Sequence, residues 1–401
     1  MKIISGDEFG ILKLISTKNK SVQDTFGVLN AEHEVLSIIK SPLTTSMEDL
    51  HLIVTELKAN YVLDWTTKEV RSIYQNESST FTSSILKHNA NKNILISSNK
   101  DNTITTQVIN DEYQFESTST RPILDNVNPN LHIRLNRICD SSFPNSDCIY
   151  GLFENTPLAI FNIEKNKVEF RGKNLPNDEL NLRIPMYDTY AVESVSNPRN
   201  VYVSTAYGDI RLYDKKASPR PVINIKVGKN KINKIIPARD ENCLIMCDVT
   251  GYCAMLDVRK KMVPVKNFRG NTGSVRDIVN IQERDTLIAG GLDRYVRWYD
   301  YKSGNDESCF VKNRVTSLCV VNVEEVKEDN EDDDEEDEGE EIDDSEFDDE
   351  EGEEIEDDNE EEDDNEEEEE EEEEDENEEE EEEEEEKPKK GKSSSNKKRK
   401  E

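Results

Sequence analysis

The chain has 401 residues and a formal net charge of −40, but the excess negative charge is concentrated in one run. Residues 324–386 contain 51 Asp or Glu and one Lys, and repulsion among these side chains excludes a packed core there. Residues 1–323 contain 41 basic and 38 acidic residues, so the part that can fold is close to neutral. We expect a folded domain at 1–323, a disordered acidic tail at 324–386 and a basic segment at 387–401.

The cysteines and the N-terminal residues indicate in which cellular compartment the protein is expected. The seven Cys residues include no CxxC pair, and their odd number argues against a disulfide framework. The first ten residues, MKIISGDEFG, lack the apolar core of a signal peptide, and no segment approaches a membrane span in length. These features predict a soluble protein in a reducing compartment, the cytosol or the nucleus.

A strand–turn–strand pattern recurs along the expected folded domain. It is found, in chain order, at 2–16, 51–69, 93–109, 148–166, 200–216, 242–260 and 285–301. The clearest copy is the last, DTLIAGGLDRYVRWYDY, in which a small apolar strand, a tight turn and an alternating strand follow one another. Successive turn centres, near 10, 60, 102, 156, 208, 251 and 294, are spaced as in four-stranded blades with loop insertions. The sequence therefore predicts an all-β, seven-bladed WD-repeat β-propeller.

The first blade lacks one strand of this pattern, because the chain begins at the second strand. Residues 315–323, VTSLCVVNV, form an apolar, β-rich run after the last blade. We expect this run to pair with the N-terminal blade and close the ring, which leaves no open sheet edge.

The sequence of the expected folded domain contains no recognisable catalytic or metal-binding motif. His33, His51, His88 and His132 are isolated and lack metal-binding spacing, and there is no GxSxG elbow or Walker loop. Asp214, Asp257 and Asp300 close second strands of the pattern, where we expect them to accept backbone hydrogen bonds in turns. We predict a non-enzymatic binding protein with no catalytic residue, metal, cofactor or small-molecule substrate.

A propeller presents its loops on rigid strands, and the turns between second and third strands share a face with the loops between blades. The longest such loop is FRGKNLPNDELNLRIPMYDTY, residues 170–190. It mixes charged and amide groups with four apolar residues that we expect to be exposed, Leu175, Leu182, Ile184 and Met186. This mixture suits a macromolecular hot spot, although a long loop folded over the rim of the propeller would have a similar composition.

A second loop on the same face is FRGNTGSVRDIV, residues 268–279, which carries Arg269 and Arg276. We expect Asp277 and Arg294 to lie nearby. For Asp277, a structural role in an internal hydrogen-bond network of the repeat is an equally good alternative. Positions 165–276 hold 21 basic against 11 acidic residues. These arginines could contact RNA phosphates or acidic protein surfaces, and charge alone does not decide between the two.

Five runs carry a family resemblance: RGKNLPNDELNLRIPMYD, DIRLYDKKASPRPV, GYCAMLDVR, GNTGSVRDI and GGLDRYVR. Together they resemble the family of WD repeat-containing protein 74, the Nop-seven-associated factors of large ribosomal subunit assembly. The resemblance is strong over about 150–320, and before it only GDEFGILK is similar. It implies a nucleolar propeller that joins precursors of the large (60S) subunit, contacts ribosomal RNA and neighbouring assembly factors, and is removed by a hexameric AAA ATPase. The acidic tail departs from the family, whose members usually end in a lysine-rich segment.

The resemblance also assigns site residues. Those in the first loop are Arg171, Lys173, Asn174, Asp178, Leu182, Arg183 and Pro185, and those in the second patch are Gly273, Ser274, Arg276, Asp277 and Arg294. Arg269 joins the second patch because of its charge and position.

The basic C-terminal segment contains two clusters of a size that nuclear import receptors recognise. Their members are Lys387, Lys389, Lys390 and Lys392, and then Lys397, Lys398, Arg399 and Lys400. A solubilising basic end is the alternative. The acidic run could hold basic ribosomal proteins or histones, mask the basic sector of the propeller from RNA, or only increase solubility.

We therefore expect a scaffold factor of the nucleus and nucleolus, active in large-subunit assembly and pre-rRNA processing. Its expected partners are pre-large-subunit particles and the releasing AAA ATPase, with no membrane, and it should be a monomer within a larger complex. The alternative is an acidic-tailed histone or nucleosome chaperone built on a propeller.

Overall fold

A computed structural model of the protein describes residues 1–44, 46–89, 92–124, 133–141 and 147–322. The expected acidic tail and basic segment, 324–386 and 387–401, lie outside these residues, as does His132. The described residues form β-strands in seven antiparallel sheets of four strands, with one short 3-10 helix at Gln282–Arg284. Among them, no helix is long and apolar enough to cross a bilayer.

The strands follow the chain blade by blade. Blade 1 contains β1 (Lys2–Asp7), β2 (Leu12–Ser16) and β3 (Ser21–Phe26), and blade 2 contains β4 (Val35–Lys40), β5 (His51–Glu56), β6 (Ala59–Asp64) and β7 (Glu69–Gln75). Blade 3 contains β8 (Phe81–Asn89), β9 (Lys92–Asn99), β10 (Thr103–Ile109) and β11 (Phe115–Pro122), and blade 4 contains β12 (Arg134–Asp140), β13 (Cys148–Glu154), β14 (Ala159–Asn162) and β15 (Lys167–Arg171).

The remaining blades have the same arrangement. Blade 5 contains β16 (Asp188–Glu193), β17 (Asn200–Thr205), β18 (Asp209–Asp214) and β19 (Ile223–Lys226), and blade 6 contains β20 (Ile232–Pro237), β21 (Cys243–Asp248), β22 (Cys253–Asp257) and β23 (Val263–Phe268). Blade 7 contains β24 (Val275–Ile281), β25 (Thr286–Gly291), β26 (Tyr295–Asp300) and β27 (Asp306–Phe310), and β28 (Val315–Asn322) follows it.

The first strands of the seven sheets form a closed ring. Strand β28 is the first strand of blade 1, where it pairs antiparallel with β1 from Lys2 opposite Asn322 to Asp7 opposite Val315. Strands β28, β4, β8, β12, β16, β20 and β24 each contact the next in this order, and β24 contacts β28 again. The predicted seven-bladed β-propeller is thus confirmed.

Burial differs between the strands of a blade. Strands β5, β6 and β21 are buried at every position, because neighbouring blades cover both of their faces. The outer strand β3 instead alternates between half-buried and exposed residues. Between blades 1 and 2 the core includes Ile4, Leu52 and Leu63, which are fully buried. Each such side chain stabilises the fold by about 1.5–3 kcal/mol.

Glycine and aspartate residues of the repeat determine the turns at the two ends of the hairpins. Gly208 lies between β17 and β18 with a φ of +79°, and a Cβ there would lie 2.3 Å from the carbonyl oxygen of Gly228. Only glycine fits this turn. At the other end of the hairpin, the Asp214 carboxylate accepts hydrogen bonds from the amides of Lys216 and Ala217 at 2.9 and 3.2 Å.

Asp257 and Asp300 occupy the equivalent position in blades 6 and 7. The Asp257 carboxylate accepts the Arg259 amide at 2.9 Å, and that of Asp300 accepts the Lys302 amide at 2.8 Å. These hydrogen bonds to backbone donors in turns are those that the sequence predicted.

Candidate functional site

One face of the propeller collects the predicted partner-binding residues, whereas the predicted nuclear localisation residues lie outside the described part of the chain. Each blade is antiparallel, so the turns between second and third strands lie at the same ends of the strands as the loops between blades. We call the surface formed by these turns and loops the loop face. It includes residues 172–187, between β15 and β16, which we call the docking loop. It also includes 269–277 and Arg294, which we call the second patch.

The docking loop is held in shape by its own polar groups. The Asp178 carboxylate accepts hydrogen bonds from the amides of Leu180 at 3.0 Å and Leu182 at 2.7 Å. The Asn174 side chain donates to the carbonyl of Ile184 at 2.8 Å. Asp178 and Asn174 therefore shape the loop.

Two further hydrogen bonds fasten the docking loop to the rest of the propeller. The Arg183 guanidinium donates to the carbonyl of Asn155, in the turn between β13 and β14, at 2.8 Å. The backbone amide of Lys173 donates to the carbonyl of Pro219 at 2.7 Å. The loop is therefore an ordered projection with fixed attachment points.

This arrangement exposes a mixed surface. Arg171, Lys173, Arg183 and Pro185 are exposed, and Leu182 is 60% exposed. Leu180, which the sequence analysis did not single out, is 79% exposed.

The expectation that the other apolar loop residues are exposed was wrong for Met186, which is 2% exposed. Its carbonyl accepts the amide of Asn155 at 3.0 Å, so the chain is already held against blade 4 at this point. Leu175 and Ile184 are half-buried.

In the second patch, two predicted members have internal partners. The Ser274 hydroxyl accepts a hydrogen bond from the Asn233 side chain at 2.9 Å, and Ser274 is buried. The Asp277 carboxylate binds the Lys234 ammonium at 2.7 Å and accepts the Leu318 amide, also at 2.7 Å. Asp277 thus joins blades 6 and 7 to the closing strand β28. This is the structural role that was given above as the alternative for Asp277.

The three arginines of the second patch project from the surface. Arg269 is exposed, and its backbone carbonyl accepts a hydrogen bond from the Tyr299 hydroxyl at 2.8 Å. Arg294 is exposed and its guanidinium lies 5.9 Å from the centre of the Phe310 ring. Arg276 lies 3.7 Å from a Glu34 carboxylate oxygen, an exposed pair of the kind that stabilises little. Guanidinium groups of this kind can bind phosphate or carboxylate in a bidentate manner.

A second group of cations on the loop face was not predicted from the sequence. Lys100, Arg134, Arg137 and Lys231 line a cavity of about 570 Å³ at the mouth of the central channel, together with Arg276. Arg134, Arg137 and Arg276 lie near the beginnings of first strands and Lys231 lies immediately before one. That position in each repeat is the signal that could have identified them.

The described histidines and cysteines have structural environments. His33 lies 2.6 Å from the Glu56 carboxylate, His51 stacks on Tyr113 with ring centres 3.7 Å apart, and His88 lies 2.7 Å from the Asn93 amide oxygen. All seven cysteines are free thiols. Burial raises the pKa of Cys139 to about 11 and that of Cys247 to about 12, so these thiols stay protonated at neutral pH. No cluster of three potential metal ligands occurs in the described part of the chain.

The chain is similar to curated proteins along most of its length. Ribosome biogenesis protein nsa1 of Schizosaccharomyces pombe is 26% identical over 374 residues, which cover 82% of this chain and 92% of that protein. WD repeat-containing protein 74 of Bos taurus is 28% identical over 153 residues, covering 37% of this chain and 39% of that protein. The human protein of the same name gives the same identity and coverage. The chain is thus similar to proteins that carry these two names.

The match to the Nsa1 and WD repeat-containing protein 74 family confirms the resemblance inferred from the five sequence runs. No protein-family model matches the chain. Three fungal relatives are named ribosome biogenesis proteins, and the names of the mammalian relatives state only the WD repeat. The seven-bladed propeller agrees with the WD repeat in the mammalian name, and ribosome biogenesis is the role stated in the names of the fungal relatives.

Proposed function

We propose that the protein is a non-enzymatic assembly factor of the large ribosomal subunit, which docks on pre-ribosomal particles in the nucleolus through its loop face. The observation that carries this proposal is the similarity to a ribosome biogenesis protein over 92% of that protein's length. The exposed arginines of the docking loop and second patch supply the chemistry for contacts with RNA phosphates or acidic protein surfaces.

The rigidity of the docking loop favours binding. Because Asp178, Asn174 and Arg183 already hold the loop, docking would order few additional residues and lose little conformational entropy. Leu180 and Leu182 offer an exposed apolar pair beside cationic groups. Arginine is enriched among interface hot spots, and burial of the neighbouring leucines by a partner would add a hydrophobic contribution to binding.

A scaffold role also agrees with the polar groups of the second patch. The Ser274 hydroxyl and the Asp277 carboxylate would be the natural candidates for chemistry there, and each already has internal hydrogen-bond partners. We therefore assign binding, with no catalysis, to this surface.

Two parts of the proposal rest on the sequence alone. Release by a hexameric AAA ATPase follows from the family resemblance. Nuclear import would use the basic clusters of 387–401, a segment outside the described residues. Deleting that segment from a fluorescently tagged protein should reduce its nucleolar signal, and unchanged nucleolar signal would remove import from the proposal.

Charge reversal on the loop face tests docking. The triple variant Arg171→Glu, Arg183→Glu and Arg276→Glu should no longer co-sediment with pre-large-subunit particles, because three attractive contacts become repulsive. A matched control is Lys18→Glu, Arg199→Glu and Lys260→Glu, since these three exposed cations lie in turns at the other ends of the strands. The control should co-sediment normally, and both variants should keep a cooperative melting transition.

Two results would contradict this proposal. If the folded loop-face variant still co-sediments with the particles, the loop face is not the docking surface. Co-purification of the unaltered protein with core histones, without pre-ribosomal particles, would instead support the histone chaperone alternative.

A further inference from the structure

The central channel opens on the loop face as a recess with a surplus of positive charge. The recess has a volume of about 570 Å³ and is lined by residues of six of the seven blades. Five of the lining residues are cationic, namely Lys100, Arg134, Arg137, Lys231 and Arg276, and two are acidic, Glu34 and Glu154. A concave site of this size suits a ligand group that enters it from the surface.

The cations at the mouth have weak partners compared with those deeper in the channel. Arg137 lies 5.4 Å from the ring centre of Tyr190, and Lys231 lies 5.1 Å from that of Tyr187. Among the described residues, no carboxylate lies within 4.0 Å of either cationic group. Lys234, deeper in the channel, is paired with Asp277 at 2.7 Å. The fold therefore neutralises the inner cation and leaves Arg137 and Lys231 without a carboxylate partner in the described part of the chain, while Arg276 has only the contact of 3.7 Å with Glu34.

The electrostatic environment of Lys231 shows how close these cations are. Burial lowers its pKa, and the positive charges of Arg137 and Arg276 lower it further. An anion placed beside Lys231 would favour its charged form. A carboxylate or phosphate bound between these three groups would have this effect.

The shape of the recess distinguishes between two kinds of polyanion. A smaller space of about 190 Å³ shares part of this lining and is bordered by the hydroxyl groups of Ser37, Ser84 and Ser317 and by the carboxylates of Asp140 and Asp277. Arg137 and Arg276 line both spaces. The phosphodiester of an RNA lies between two riboses, so it reaches a recessed cation only together with those sugars. The carboxylate of a Glu side chain stands at the end of a flexible stem and can enter the recess alone.

We propose that the mouth of the channel is a binding site for an extended acidic protein segment, which inserts carboxylate side chains between Arg137, Lys231 and Arg276. Guanidinium groups would hold each carboxylate through paired hydrogen bonds, and the ammonium of Lys231 would add a further donor. The site shares Arg276 and the loop face with the proposed docking surface, but Arg137 and Lys231 are unchanged in the variant that tests docking, so the two proposals can be tested separately.

Photo-crosslinking of the full chain tests this site. A benzoylphenylalanine replaces Leu57, a half-buried residue of the recess lining. The protein is irradiated in low salt with an equimolar mixture of a Glu-rich twelve-residue peptide and a single-stranded RNA oligonucleotide. Mass spectrometry should identify an acidic protein segment, from the added peptide or from any other acidic sequence, as the main crosslinked species.

Matched charge-removing variants assign the crosslink to the proposed cations. Arg137→Gln with Lys231→Gln should lower the yield about tenfold, because two of the three converging charges are lost. Arg199→Gln with Lys260→Gln removes the same charge elsewhere and should change the yield by less than about twofold. Arg137→Lys with Lys231→Arg keeps both charges and should retain most of the crosslink. If the Gln pair does not melt cooperatively, Lys231→Gln alone serves, with an expected loss of about threefold.

A phosphoserine version of the peptide separates carboxylate from phosphate ester as the preferred anion, and either result supports an acidic protein ligand. A crosslink mainly to RNA would overturn the proposal. Equal yields from the two Gln pairs, or no crosslink to an acidic segment, would overturn it as well. Because no pre-ribosomal particle is present, failure here is distinct from failure of the docking surface.

Discussion

The docking loop and the second patch contain similar residue types but use their polar side chains differently. In the docking loop, Asp178 binds amides of the loop itself and leaves the neighbouring cations and leucines exposed. In the second patch, Asp277 joins strands that are far apart in the chain, Lys234 of β20 and Leu318 of β28. The first carboxylate maintains a local shape, whereas the second maintains the ring. An Asp beside arginines can therefore serve the surface or the fold, according to which partners reach it.

The largest expected effect comes from removing the carboxylate that joins the blades. Asp277→Ala leaves Lys234 as an unpaired cation in the channel and the Leu318 amide without its acceptor, and should lower the free energy of unfolding by about 4 kcal/mol. Urea unfolding measures this change. Adding Lys234→Met to Asp277→Ala should recover part of the loss. A decrease below about 1 kcal/mol would show that the ring does not depend on Asp277.

A second large effect is expected at the residue where the docking loop returns to the fold. Asp188 is fully buried, and this burial raises its pKa to about 7 against the opposing influence of the Arg211 charge. Between about pH 4 and pH 7 the folded protein keeps this proton while the unfolded chain has lost it. The contribution of Asp188 to stability therefore falls as the pH rises through that range.

Asp188→Asn removes this titration. Its stability relative to the unaltered protein should increase by roughly 3 kcal/mol between pH 4.5 and pH 7, as measured by urea unfolding at several pH values. A stability difference for Asp188→Asn that is independent of pH would contradict the raised pKa.

The smallest effect on stability is expected within the docking loop. Asp178→Ala removes two hydrogen bonds from an exposed segment and should lower the free energy of unfolding by about 1 kcal/mol or less. The amides of Leu180 and Leu182 should nevertheless exchange faster with deuterium, and co-sedimentation with pre-large-subunit particles should weaken. Faster amide exchange with unchanged co-sedimentation would show that the shape of the loop does not matter for docking.

The fold was predictable because each blade carries its own local signals. Turn glycines such as Gly208 and strand-ending aspartates such as Asp214 recur at nearly constant spacing, and both are required by backbone geometry within a single hairpin. The phasing was least accurate in blade 2, where the turn lies between Glu56 and Ala59, just before the expected centre near position 60. The apolar residues on both sides of that turn give no clear boundary.

The site was less predictable because its decisive contacts are not local. Nothing in the sequence near Ser274 indicates that Asn233 of the neighbouring blade binds it, and Met186 is buried only because the chain is held against Asn155. The cations at the channel mouth are spread from Lys100 to Arg276 and meet only when the ring is closed. The exposure of a loop residue and the convergence of distant charges both depend on the three-dimensional arrangement of the blades.

Hydrogen–deuterium exchange of the protein bound to pre-large-subunit particles, compared with the free protein, tests the docking account most directly. The account predicts slower exchange of backbone amides in residues 172–187 and 269–277, with little change in the turns that contain Lys18, Arg199 and Lys260. Protection confined to those turns, or unchanged exchange throughout the loop face, would contradict it.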